Sequence, residues 1–151
     1  MTEKKIIPMT LELKDTTLTQ EGGGGWSQFS MIVRGGEVTT LRGWSAENRK
    51  ALMAVIWGVL PLDEGFVSID GEPITDLSAP YLRRSMAYLP SSVQWADEER
   101  NAVPFAEQRK QLLQEIVKRQ PRLLLVDGVT EEELPICRQL VEQGTAVVVF
   151  W

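Results

Sequence analysis

Pro121-Arg122-Leu123-Leu124-Leu125-Val126-Asp127 is the stretch that decides the fold. Its unbroken apolar run is of strand length and ends on an acidic residue, the pattern of a strand covered on both faces in a parallel sheet. Ala146 to Phe150 repeats that pattern. Between the two runs, Thr130 with Glu133 three residues on forms a capping box, which predicts a helix through Val141 with Gly144 as its C-cap and Pro135 near its start. Upstream, Pro104 is placed to open a helix that carries Phe105, Leu112, Leu113, Ile116 and Val117 on one stripe and ends near Gln120. Strand and helix in alternation predict an α/β fold with a mainly parallel sheet.

The amino-terminal half reads differently. Met9, Leu11 and Leu13 alternate with polar residues as in a half-buried strand, Gly22 to Gly25 form a loop, and Trp26 to Val33 return as a second strand. Gly35-Gly36 turns the chain into a short strand at Val38 to Leu41, and a helix follows from about Asn48 to Trp57 with Gly58 as C-cap. Phe66 to Ile69 closes on Asp70-Gly71, a hairpin dipeptide. A short helix at Tyr81 to Ser85 and a strand at Met86 to Leu89 complete the set. The expectation is one domain over residues 1–151, a parallel sheet built from 38–42, 86–89, 122–126 and 146–150 and flanked by helices, with an antiparallel β portion at the amino-terminal side.

Composition limits the chemistry. The 151 residues are 43% hydrophobic and 25% charged, as in an ordinary globular domain. Sixteen basic against twenty-one acidic residues leave a net charge of -5, which argues against nucleic acid as a partner. With no histidine, imidazole chemistry is excluded, and one cysteine forms no intramolecular disulfide. Cys137 reads as a small core residue, since no histidine is there to activate it. Glu131 to Glu133 read as an acidic helix start that complements the dipole. No run approaches the ~20 apolar residues of a membrane span, and no leader pattern is present, so the expected location is cytoplasmic.

Four stretches in order, Phe29 to Gly43, Leu60 to Ile74, Leu82 to Pro90 and Pro121 to Asp127, resemble the nucleotide-binding domain of ATP-binding cassette (ABC) transporters. The resemblance spans nearly the whole chain and implies a P-loop NTPase-like sheet with its sites at the strand ends. A phosphate loop has the form Gly-x-x-x-x-Gly-Lys-Ser/Thr, whose backbone N–H groups, lysine and hydroxyl serve phosphates and Mg²⁺. Here Gly43 keeps the first glycine, Asn48 stands for the second, Arg49 for the lysine and Lys50 for the hydroxyl, with Glu47 adding a negative charge. Asp127 matches the Walker B aspartate that positions the metal, but Gly128 falls where the family has its catalytic glutamate. Ser91 falls at the family's glutamine, with Gln94 nearby. Val103 to Glu107 falls at the Leu-Ser-Gly-Gly-Gln signature, Trp151 at the switch histidine and Gln20 at the adenine-stacking aromatic. The helical subdomain expected between Pro90 and Phe105 is reduced to a short polar stretch, and the chain stops where the family continues. The sheet is therefore expected to have an exposed edge or apolar face, at a truncated terminal edge, unless a partner covers Trp151 and the terminal strand.

Fold residues kept and chemistry lost describe a pseudoenzyme. The reading favoured by these residues is a noncatalytic ABC-ATPase-like subunit without a cofactor, partnered by an intact ABC ATPase or a second copy of itself, and placed at the inner membrane face through a permease. Gly43, Asn48, Arg49 and Lys50 are the candidate nucleotide contacts, Asp127 the candidate metal ligand, and Trp44 and Trp151 the candidate interface residues. Trp44 stands out because its bulk occupies a phosphate loop; Trp57 and Trp95 are open between core and interface. Two alternatives stay open: an ATP-binding subunit that holds ATP and Mg²⁺ and is completed in trans, and a small α/β interaction module unrelated to transport.

Overall fold

The computed structural model describes residues 6–90 and 105–151. Ser91, Gln94, Trp95, Val103 and Pro104, singled out from the sequence, lie outside the described residues. The elements run β1 (Thr10–Thr19), β2 (Gly25–Arg34), β3 (Val38–Leu41), α1 (Ala46–Trp57), β4 (Glu64–Ile69) and β5 (Glu72–Pro73). There follow α2 (Ala79–Leu82) with a 3₁₀ turn at Arg83–Ser85, β6 (Met86–Leu89), α3 (Phe105–Arg119), β7 (Leu123–Asp127), α4 (Leu134–Gln143) and β8 (Ala146–Phe150).

Two sheets result. One is antiparallel in the order β2-β1-β4-β5, and the other is parallel throughout in the order β3-β8-β7-β6. Successive side chains of a strand point to opposite faces, and in β6, β7 and β8 both faces are apolar. Met86, Leu123, Leu125, Ala146, Val148 and Phe150 face a core shared with α1 and the antiparallel sheet. Ala87, Leu89, Leu124, Val126, Val147 and Val149 face a second core with Leu113 and Ile116 of α3 and Cys137 and Leu140 of α4. Cys137 is therefore a core residue, and burial, reinforced by the charge of Glu133, pushes its thiol up to about 11.

The helix ends have local causes. Ser45 caps α1 by accepting from the Asn48 N–H at 3.1 Å, so the helix begins at Ala46, two residues before the expected Asn48. Gly58 ends it at φ +83°, where a Cβ would lie 2.6 Å from the Ala79 Cβ. A left-handed cap packed this closely admits only glycine without strain. The two sheets are tied by Arg122, at the entry to β7, which donates to Ile7 O, Pro8 O and the Asp70 carboxylate at 2.7 Å. Asp70, in the β4–β5 hairpin turn, also accepts from the Thr10 N–H at 2.8 Å; burial opposes its charge, but these bonds hold its pKa below the usual carboxylate range.

Two expectations need correction. Helix α4 begins at Leu134 and not at Thr130, and it runs to Gln143. Glu133 does accept from the Thr130 N–H at 2.9 Å, but residues 131–133 form a turn, and the helix starts where Pro135, which needs no N–H partner, falls in the first turn. The terminal strand is not an edge. β8 lies between β3 and β7 and is fully buried, so among the described residues the edges of the parallel sheet are β3 and β6.

Position in the sheet sets the cost of truncation. Leu125→Ala, on a strand with both faces covered, is expected to lower the unfolding free energy by about 2–5 kcal/mol. Val38→Ala, on the edge strand and 47% exposed, is expected to change it by less than ~1 kcal/mol. Urea unfolding of the two variants checks the contrast.

Candidate functional site

The carboxyl ends of β3, β7 and β8 converge on the loop that enters α1, the position at which open α/β sheets hold ligands. Gly43 carries the loop through φ +79°, and Trp44 and Ser45 bring it to the helix. Asn48, in the first turn of α1, does not face open space. Its side-chain amide donates to Gly25 O at 3.0 Å and accepts from the Gly25 N–H at 2.9 Å, pinning the glycine loop to the helix.

Arg49 reaches across to the strand ends. Its Nε lies 2.9 Å from Asp127 Oδ1, a close ion pair whose angle falls outside hydrogen-bond geometry, and its Nη1 donates to Trp44 O at 2.9 Å. The Asp127 side chain is only 6% exposed. A buried carboxylate needs a compensating cation, and Arg49 supplies it. Of the four expected phosphate-loop residues, Gly43, Asn48 and Arg49 thus meet at this rim with Asp127. Lys50 does not: it stands on the face of α1 that turns toward β6, with Met53, Trp57 and Tyr88.

Trp44 turns inward. Its ring meets Trp26, Phe29 and Phe150 edge-on, with centroids 5.4, 5.0 and 6.3 Å away. The Trp26 indole N–H donates to the Thr16 hydroxyl at 3.1 Å, and that hydroxyl donates to Phe29 O at 2.7 Å. The aromatic group is half-buried packing between the two sheets. Trp151 lies outside, with the Arg42 guanidinium 5.2 Å above its ring.

Sequence reasoning missed Arg109. It is buried in α3 and donates to both carboxylate oxygens of Glu133, at 2.6 and 3.2 Å. It also donates to Pro90 O, to Gly128 O and, at 3.4 Å, to Asp127 O. One side chain thereby joins the ends of β6 and β7 to the start of α4. The signal was available, since Arg109 precedes Leu113 and Ile116 by four and seven residues and so falls on their buried stripe. Burial opposes the charge of Glu133, but the bonds from Arg109 and Thr130 prevail and hold its pKa below the ordinary glutamate value. Gly128 has φ +76°, and its N–H donates to Phe150 O at 2.8 Å.

Comparison with known proteins places this geometry. No family model matches the chain. The hemin import ATP-binding protein HmuV of Streptomyces coelicolor is 28% identical across 78% of this chain and 60% of its own length, so the chain spans about 60% of that relative. Among solved structures, an ATP-binding subunit of an ABC transporter superposes with a TM-score of 0.74 at 16% identity, covering 93% of this chain and 78% of that one. A bacterial Atm1-family ABC exporter with ATP bound gives 0.73 at 13%, over 97% of this chain and 35% of the exporter. A putative ABC transporter ATP-binding protein from Pyrococcus furiosus gives 0.69 at 13%, over 94% and 90%. The fold is that of ABC transporter ATP-binding domains, to which the chain is distantly related. Among the described residues no helix is long and apolar enough to cross a membrane.

Breaking the Arg109–Glu133 pair is expected to cost about 3–5 kcal/mol for Arg109→Ala, because a buried carboxylate and three carbonyls lose their donor. Because the folded pKa of Glu133 is depressed, its contribution is complete above the ordinary glutamate pKa and is lost as pH falls through the lowered one. Thermal melts from pH 7 downward should show the gap between the native chain and Glu133→Gln narrowing in acid.

Proposed function

We propose that this chain is a noncatalytic ABC-ATPase-like subunit that acts as a binding or regulatory partner, of an intact ABC ATPase or of a second copy of itself. The observation that carries the reading is the Arg49 guanidinium on the Asp127 carboxylate at 2.9 Å. A magnesium-triphosphate site needs that carboxylate free for the metal and a loop whose backbone N–H groups face the phosphates. Here the charge of Asp127 is matched from within the chain, the Asn48 amide is bonded to Gly25, and the second Arg49 donor is bonded to a loop carbonyl. These residues do not fit a magnesium nucleotide. Nor does position 128 supply a general base: it has no side chain, and its carbonyl accepts from Arg109.

Partnership rests on the relatives, two of which are named as an ATP-binding subunit of a transporter and an exporter with ATP bound. Such a subunit would place this chain at the inner membrane face through a permease. The surface we assign to the partner is the rim from Gly43 to Arg49 with the exposed Trp151, while Trp44 supports that rim from beneath. Arg49 gives the rim a fixed shape without nucleotide, as a constitutive partner requires.

The purified chain is expected to show no ATP turnover above buffer at saturating Mg-ATP, no saturable binding of trinitrophenyl-ATP, and a complex with an ABC ATPase or with itself in sedimentation velocity. A turnover that disappears in Asp127→Ala would place metal chemistry at that carboxylate and overturn the proposal. A strict monomer that engages no ABC component would overturn the partnership.

A further inference from the structure

Beside the rim that holds Arg49 and Asp127, α1 and β6 flank an open cleft of about 400 Å³. One wall is a helix stripe in which Lys50, Met53, Ala54 and Trp57 stand at positions i, i+3, i+4 and i+7. The facing wall carries Tyr88 and Pro90, two residues apart and so on the same side of the strand. Met53 is buried, and Ala54, Trp57 and Tyr88 are half-buried, which makes the floor apolar.

Two polar heads interrupt it. Among the described residues, neither the Lys50 ammonium nor the Tyr88 hydroxyl has an ion-pair or hydrogen-bond partner. Burial and the nearby Asp127 charge push the Tyr88 pKa up against the opposing effect of Arg49 and Arg109, so the phenol keeps its proton at neutral pH. The other strong charges at this end of the sheet cancel in pairs, Arg49 with Asp127 and Arg109 with Glu133. Glu21 and Glu47 line an adjoining hollow that Lys50 and Ala54 also border; neither carboxylate pairs with Lys50 or lines the cleft.

A mainly apolar cavity of this size with a few convergent polar groups is the form that small-molecule sites take. A bare inorganic anion would make no use of Met53 and Trp57, and an uncharged apolar molecule would make no use of Lys50. We propose that the cleft binds a small amphiphilic anion, an aromatic or aliphatic body bearing one carboxylate or sulfonate, with the body on Met53 and Trp57 and the head at Lys50. The site does not depend on the noncatalytic reading, since neither Arg49 nor Asp127 lines it.

The test uses the full chain and two fluorescent probes, 8-anilinonaphthalene-1-sulfonate and the uncharged N-phenyl-1-naphthylamine, with near-ultraviolet circular dichroism confirming that each variant is folded. The expected result is one saturable sulfonate site per chain with energy transfer from tryptophan. Lys50→Met should weaken the sulfonate at least tenfold and leave the uncharged probe unchanged, and Tyr88→Phe should weaken it a few-fold. Ala54→Trp, or Ala54→Met if the larger residue does not fold, should abolish binding of both probes by filling the cleft. Absence of a saturable site, sulfonate affinity unmoved by Lys50→Met, or binding that survives both Ala54 variants would each overturn the proposal. No nucleotide measurement enters, so this test and that of the noncatalytic reading fail separately.

Discussion

A carboxylate at the end of a strand buried on both faces is the constraint around which this end of the molecule is arranged. β7 is fully buried, so Asp127 leaves the sheet with little water to solvate its charge. Either a cation comes to it or the charge is very costly. Arg49 comes from α1, and its position follows from the Ser45 cap and the Gly43 turn, which set where the first turn of the helix begins. Asn48 then binds the β1–β2 loop to that same turn. Helix, parallel sheet and antiparallel sheet meet through three neighbouring residues, and the geometry of the rim is a consequence of neutralising one charge.

The opposite side of the same strand ends is governed by a second arginine. Arg109 supplies donors to carbonyls that no sheet partner satisfies, at Pro90 and Gly128, and Glu133 balances its charge. Left unpaired, those half-buried acceptors would each carry part of the cost of lost solvation. Two arginines thus flank Asp127, one at its side chain and one at its backbone. Only the first has a counterpart among the motif positions of the family, which is why a motif-based reading stops at Arg49.

The parallel sheet was legible because Leu123 to Val126 and Ala146 to Phe150 are uniform apolar runs of strand length, bounded by Pro121 and Gly128 and by Gly144, which argues for strands covered on both faces. The amino-terminal hairpins were legible from alternation and from Asp70-Gly71 for the same kind of local reason. What could not be read was order and long-range pairing. β8 comes last in sequence but lies inside the sheet, since strand order follows crossovers and not chain order. Glu133 looked like half of a local capping box because Thr130 is three residues away, yet its stronger partner, Arg109, is on another helix. Trp44 looked like an obstruction in a loop because the ring stack that receives it comes from β2 and β8. Among the site residues, Gly43, Asn48, Arg49 and Asp127 lie together at one rim, while the turning of Lys50 to a different face was invisible without the helix phase.

The interior placement of β8 also has a kinetic meaning. Among the described residues β3 bonds to no strand but β8, pairing Val38 with Val147 and Leu41 with Phe150. Those partners are separated by most of the chain, and closing so long a loop must precede any reward from the contacts it makes. Until β8 inserts, β3 and β7 are both bare edges with apolar faces, and the core that includes Phe150, Trp44 and α1 lacks its floor. The strand that bridges β3 and β7 therefore couples them: the rim, which hangs on the ends of β3, β7 and β8, requires both pairings at once.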